Sequence, residues 1–210
     1  MRFITGSRPA RVATLLATGL LAAGLSAATG PTAFAAQPAQ SAHTTASTGD
    51  QANAKAMQQA LAAALQKQAI LHPNDTGRHI CYAAQVQNIG WQAAVCDGQI
   101  AGTVGQSLRL EALNIAVSGV GGVCAQAHVQ NIGWQNPVCG NDGDVLEVGT
   151  VGMSLRMEAL SIMVPTGSVC ADAHVQNIGW QGTRCQGANV WDTVGTVGQS
   201  LRMEAIALTV

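Results

Sequence analysis

The sequence predicts an all-β, pseudo-threefold closed domain made from three copies of one unit, preceded by a short Ala-rich helix. Three observations predict it. First, QNIGWQ stands at Gln87–Gln92, Gln130–Gln135 and Gln176–Gln181, and GTVG at Gly102–Gly105, Gly149–Gly152 and Gly195–Gly198. Second, apolar and polar residues alternate around these words, as they do along strands. Third, the copies fill the chain from Cys81 to Val210, with tryptophan steps of 43 and 46 residues. One such unit cannot bury its own apolar face, whereas three can close around an axis. The β-prism is the expected architecture and the β-trefoil the alternative. An open solenoid is disfavoured because no copy looks like a polar cap. The domain is placed at 79–210, with copies at 81–117, 124–164 and 170–210.

Before the repeats, Arg2, Arg8 and Arg11 precede an uncharged Leu/Ala/Gly stretch ending in Ala33, Phe34 and Ala35. This reads as a signal peptide over 1–35, with a membrane-anchor helix as the alternative. Residues 36–49 are Ala, Gln, Ser, Thr and Pro, the composition of a flexible linker. Residues 50–72 read as a helix capped by Asp50, with Met57, Leu61, Ala64, Gln68 and Leu71 along one stripe. Such a helix is either a spacer or a docking element for a partner or a second copy. Export makes the six cysteines disulfide-bonded. From Cys81 onward there are four arginines, no lysine and nine acidic residues, so nucleic acid is excluded as a partner.

In each copy two cysteines lie fifteen residues apart, with QNIG at the midpoint. Folding the segment as a hairpin sets Cys81 across from Cys96 and Val86 across from Trp91. One face then collects Tyr82, Ala84, Val86, Trp91, Ala93 and Val95, and the other Gln85, Gln87 and Gln92 with the cysteines. Trp91, Trp134 and Trp180 are accordingly expected in the core. Two pairings treat the copies alike: a cyclic set, and a within-repeat set of Cys81–Cys96, Cys124–Cys139 and Cys170–Cys185. The hairpin register selects the within-repeat set. Ile tolerates positive φ poorly, so Asn-Ile does not suit a two-residue turn. The following Gly90, Gly133 and Gly179 suggest a longer turn or a bulge.

The second half of each copy is a Gly turn and a long strand. In SLRLEALNIAV the apolar parity switches at Glu111-Ala112, and the same switch recurs at Glu158-Ala159 and Glu204-Ala205. A β-bulge there puts both apolar sets on one side. A helix competes for RMEAL, but the Gly turn and the alternation favour a strand. Arg109/Glu111, Arg156/Glu158 and Arg202/Glu204 are two apart on that strand, so they point the same way and can pair.

HVQNIGWQ and DGQIAGTVGQSLRLEAL together resemble the ChW repeat, the clostridial hydrophobic repeat with a characteristic tryptophan, over all of Cys81–Val210. The resemblance aligns the family's tryptophan with Trp91, Trp134 and Trp180. It implies an exported protein of a Gram-positive bacterium with a cell-surface, substrate-binding or protein–protein role. The paired cysteines are additional to that pattern.

No catalytic constellation emerges. Ser107, Ser154 and Ser200 lie in GxSLR, which is not a nucleophile elbow. His128 and His174 are equivalent, but repeat 1 has Gln85 there, so no metal or other cofactor is expected. The expected function is a secreted, non-catalytic module for glycan or cell-wall polymer. The alternative is a protein-interaction or surface-structural module. Candidate ligand-binding residues are the polar hairpin face and one loop tryptophan. The face comprises Gln85/Gln87/Gln92, His128/Gln130/Gln135 and His174/Gln176/Gln181, whose amides and imidazoles donate and accept hydrogen bonds. The loop tryptophan is Trp191, which has no counterpart in repeat 1. The competing reading of the polar face is a merely solvated side.

Overall fold

The computed structural model describes residues 48–72 and 77–210; the leader and residues 36–47 of the linker lie outside them. Helix α1 spans Thr48–Leu71. Repeat 1 contributes β1 (His79–Val86), β2 (Gly90–Trp91), β3 (Val95–Cys96), β4 (Ala101–Gly102) and β5 (Leu110–Ser118). Repeat 2 contributes β6 (Val123–Val129), β7 (Gly133–Trp134), β8 (Val138–Gly140), β9 (Leu146–Gly149) and β10 (Met157–Met163). Repeat 3 contributes β11 (Ser168–Val175), β12 (Gly179–Trp180), β13 (Arg184–Gly187), β14 (Asp192–Gly195) and β15 (Met203–Thr209).

These strands form three five-stranded antiparallel sheets. In each, the first strand of a hairpin pairs with its own two return strands and with the long strand of its repeat. The fifth strand comes from another repeat: β9 pairs with β5, β14 with β10, and β4 with β15. The exchange is cyclic, so every sheet is completed by the short strand that precedes a GTVG turn. Tyr82 adds a second tie between repeats 1 and 3. Its buried hydroxyl accepts from the Leu208 N–H at 2.9 Å and donates to the Gln99 carbonyl. Burial pushes its pKa up to about 12.

The inner faces make one core. Leu110, Leu113, Ile115, Met157, Leu160, Ile162, Met203, Ile206 and Leu208 are all fully buried in it. Met157–Leu160 of RMEAL is strand, but the Ser-Leu-Arg before it in each copy is not, so the long strand begins three residues later than expected; the bulge falls where parity switches. Gln85 pairs with Ala112 and Val86 with Leu110, which leaves Glu111 unpaired; Glu158 and Glu204 are left out in the same way. The extra residue returns both apolar sets to the core side.

The hairpin register needs a correction. Cys81 does face Cys96, but Gln85, not Val86, faces Trp91. The turn holds three residues, Gln87–Ile89, because Val86 pairs with Gly90. Asn88 (φ 62°) and Gly90 (φ 87°) take the left-handed conformations, and Ile89 is spared one. An odd turn shifts parity by one, and the unpaired Gln92–Ala94 restores it before the cysteine. All three hairpin tryptophans therefore leave the core face for the disulfide face. Trp134 is 39% exposed and Trp180 37%, no different from Trp191 at 38%.

The disulfides are Cys81–Cys96, Cys124–Cys139 and Cys170–Cys185. Helix α1 packs over the first. Leu61 and Leu65 are buried against Cys81, Ala83, Cys96 and Ala116, with Met57 and Ala64 beside them. The helix thus docks on repeat 1 of its own chain. It starts two residues earlier than expected, which puts Asp50 inside its first turn, and Leu71 at the end of the expected stripe is exposed. The other repeats present Gln126 and Asp172 where repeat 1 has Ala83, so their outward faces offer Leu61 and Leu65 no apolar seat.

Candidate binding site

The same cross-sheet row recurs on each outward face. In repeat 2 it runs Trp134–His128–Ala159–Gly195, and in repeat 3 Trp180–His174–Ala205–Gly102. In repeat 1 it runs Trp91–Gln85–Ala112–Gly149. The last residue always belongs to the following repeat, so each site is shared between two repeats.

The bulged glutamate turns toward this row. Glu158 is 5% exposed, and its Oε1 accepts from Nε of Arg156 at 2.8 Å, with Nη2 in ion-pair contact at 2.7 Å. Its other oxygen stands 3.0 Å from His128 Nδ1. The approach is not that of a hydrogen bond, so Nδ1 is left without a hydrogen-bond partner. Repeat 3 repeats the arrangement: Arg202 reaches Glu204 Oε1 at 2.8 and 3.0 Å, and His174 lies 3.2 Å from Oε2. Repeat 1 keeps the ion pair, with Arg109 Nη2 at 2.7 Å from Glu111 Oε1, but Gln85 replaces the histidine. Each histidine meets its tryptophan edge to face, with ring centroids 5.3 Å apart in repeat 2 and 5.5 Å in repeat 3. The result is a half-exposed indole next to an imidazole, a carboxylate and a guanidinium.

The remaining glutamine candidates divide into two groups. Gln92, Gln135 and Gln181 are occupied structurally. The amide of Gln135 accepts from Gly149 N at 2.8 Å and donates to Gly149 O at 2.9 Å. Gln92 clamps Gly102 and Gln181 clamps Gly195 in the same two-bond manner. An amide used at both ends imitates a strand neighbour and has little left for a ligand. Gln87, Gln130 and Gln176 follow the bulge and are half-buried, and their N–H groups donate to Arg109, Arg156 and Arg202 carbonyls at 3.0 Å. Trp191 precedes β14, at the opposite end of that strand from Gly195, and is not part of the row.

The clamped glycines are essential to the geometry, which inspection of the sequence overlooked. Gly149 has φ 95°, and a Cβ there would lie 2.4 Å from the Glu111 carbonyl oxygen; Gly102 and Gly195 meet Glu204 and Glu158 as closely. Their recurrence in GTVG was the available signal. Among the described residues no group of three or more His, Cys, Asp or Glu is placed to hold a metal ion. No described helix is long and apolar enough to cross a membrane.

Three cyclically joined sheets, each with an outward tryptophan beside a bulged glutamate, define a class of repeat-built β protein. The family described as clostridial hydrophobic W matches at residues 85–119, 128–165 and 174–210, more than half of the chain. The chain belongs to this ChW repeat family. No curated protein and no solved structure matches it.

Proposed function

We propose that the protein is a secreted, non-catalytic module that binds neutral glycan or cell-wall polymer at the outward sites of repeats 2 and 3, on the surface of a Gram-positive cell. We read the three cyclically joined sheets as a β-prism that carries these sites. The observation that supports this reading is the pairing of half-exposed Trp134 and Trp180 with His–Glu–Arg groups. A sugar ring has an apolar face that stacks on an indole and a hydroxyl edge that needs donors and acceptors together. The charges of each Arg–Glu pair cancel, which suits a neutral ligand better than a phosphate. Two such sites on one rigid domain give a polymer avidity that neither site has alone.

The test is co-sedimentation of the protein with purified cell wall. The intact chain should be retained, and soluble wall oligosaccharide should release it. Trp134→Ala together with Trp180→Ala should abolish retention, while either change alone should weaken it. Retention unchanged in the double variant would overturn the assignment. One observation favours the alternative reading, a protein-interaction module: the corresponding face of repeat 1 is already covered by a polypeptide helix. Retention on wall stripped of glycan but not of protein would support that reading instead.

A further inference from the structure

An open cleft of about 560 Å³ lies between α1 and the sheet of repeat 1. It exists because the helix is seated by Leu61 and Leu65, while Ala56 and Ala60 nearer its start are too short to reach the sheet. Met57 lies beside them. The facing wall is Ile89 and Trp91 from the repeat 1 hairpin and Val151 from the next GTVG turn. None of the described lining residues carries a charge. Two amides complete the lining, Asn53 and Gln85, and Gln85 Oε1 is buried without a hydrogen-bond partner. In repeats 2 and 3 the Gln85 position is held by histidines beside a glutamate, so the amide acceptor is particular to repeat 1.

We propose that this cleft is a second binding site, for a small, neutral, mainly apolar molecule that donates one hydrogen bond to Gln85 Oε1. The volume falls within the range of about 300–1,000 Å³ typical of small-molecule sites. A buried acceptor is costly while unpaired, so a ligand with an N–H or O–H gains more than a pure hydrocarbon. The uncharged lining has nothing to compensate an ion for lost hydration. The site is separate from the glycan sites, because neither Gln85 nor Trp91 belongs to repeats 2 and 3. It also spans two elements, so an occupant would fasten α1 to repeat 1.

N-phenyl-1-naphthylamine is a suitable probe, being neutral, apolar and the bearer of one N–H. Titrated into the full chain, it should show saturable fluorescence enhancement with one molecule bound per chain and quenching of tryptophan emission. Ala60→Trp fills the cleft from an exposed helix position, so it should abolish binding with an unchanged melting temperature; Ala56→Phe is the second variant if the first does not fold. Gln85→Leu should weaken the probe about tenfold, the loss of one hydrogen bond, yet leave displacement by naphthalene intact. The Trp134→Ala/Trp180→Ala variant should still bind one probe, which separates this site from the glycan reading. No saturable signal, full binding after the cleft is filled, or three probes per chain from adsorption at the hairpin tips would each overturn the proposal.

Discussion

Repeat 1 and repeats 2 and 3 share one backbone plan but differ on their outward faces. In repeat 1 the disulfide is sealed, with Cys81 at 0% and Cys96 at 5% exposure, beneath Leu61 and Leu65 of α1. In repeats 2 and 3 Cys139 and Cys185 are exposed, and no described residue of the chain plays the part of α1. The difference rests on a few side chains. Ala83 becomes Gln126 and Asp172, and Gln85 becomes His128 and His174. The apolar patch around Ala83 needs a cover, while Gln126 and Asp172 leave the same place in repeats 2 and 3 stable in water. One scaffold therefore carries one covered face and two open ones.

Removing the cover should give the largest effect. Leu61→Ala deletes a fully buried side chain and should weaken docking of α1 by about 2–5 kcal/mol. Mild reduction followed by alkylation and mass mapping reads the result. In the unmodified chain Cys124–Cys139 and Cys170–Cys185 should open before Cys81–Cys96, because a thiolate must reach the sulfur it attacks. In Leu61→Ala the first bridge should join the other two. If all three open together in the unmodified chain, the contrast between the faces is wrong.

The tryptophans give a smaller contrast. Trp91→Ala removes a ring packed with the α1 cluster and should approach the cost of about 3 kcal/mol typical of a buried aromatic. Trp134→Ala and Trp191→Ala, at 39% and 38% exposure, should cost much less and about equally. Urea denaturation of the three variants decides the matter. A Trp134→Ala loss as large as that of Trp91→Ala would return the hairpin tryptophans to the core.

The smallest effect separates repeat 3 from repeat 2. Asp192 is buried at the position where repeat 2 has Leu146, judged by their pairing to Ile162 and Ile115. Burial pushes its carboxyl pKa above the ordinary range, against the opposing pull of Arg184. A raised pKa means that the folded state holds the proton more tightly. The carboxyl's contribution is therefore fully present below its unfolded pKa and is lost as pH rises through the folded value. Asp192→Leu should raise the melting temperature more at pH 7 than at pH 3. A gain that is the same at both pH values would mean that ionisation there costs nothing.

The sequence by itself determined the number of units, the strand that runs on from each Glu-Ala, the bulge at each glutamate, the Arg–Glu pairing and the cysteine partners. These follow from local rules repeated three times. Parity fixes which side a residue faces, and a parity break in three copies has one economical cause, an inserted residue. Only the tertiary structure decided the rest. Whether a turn holds two or three residues changes every side assignment beyond it, and that choice lay in the φ values of Asn88 and Gly90. Each glutamine clamp lies within one repeat, but it holds a glycine whose strand pairs in another repeat's sheet, and that exchange is not written in the local pattern. The seat of α1 was equally hidden. A thin apolar stripe fits any apolar face, and Ala83 in place of Gln126 or Asp172 becomes decisive only when the folded sheets set those three positions in competition for it.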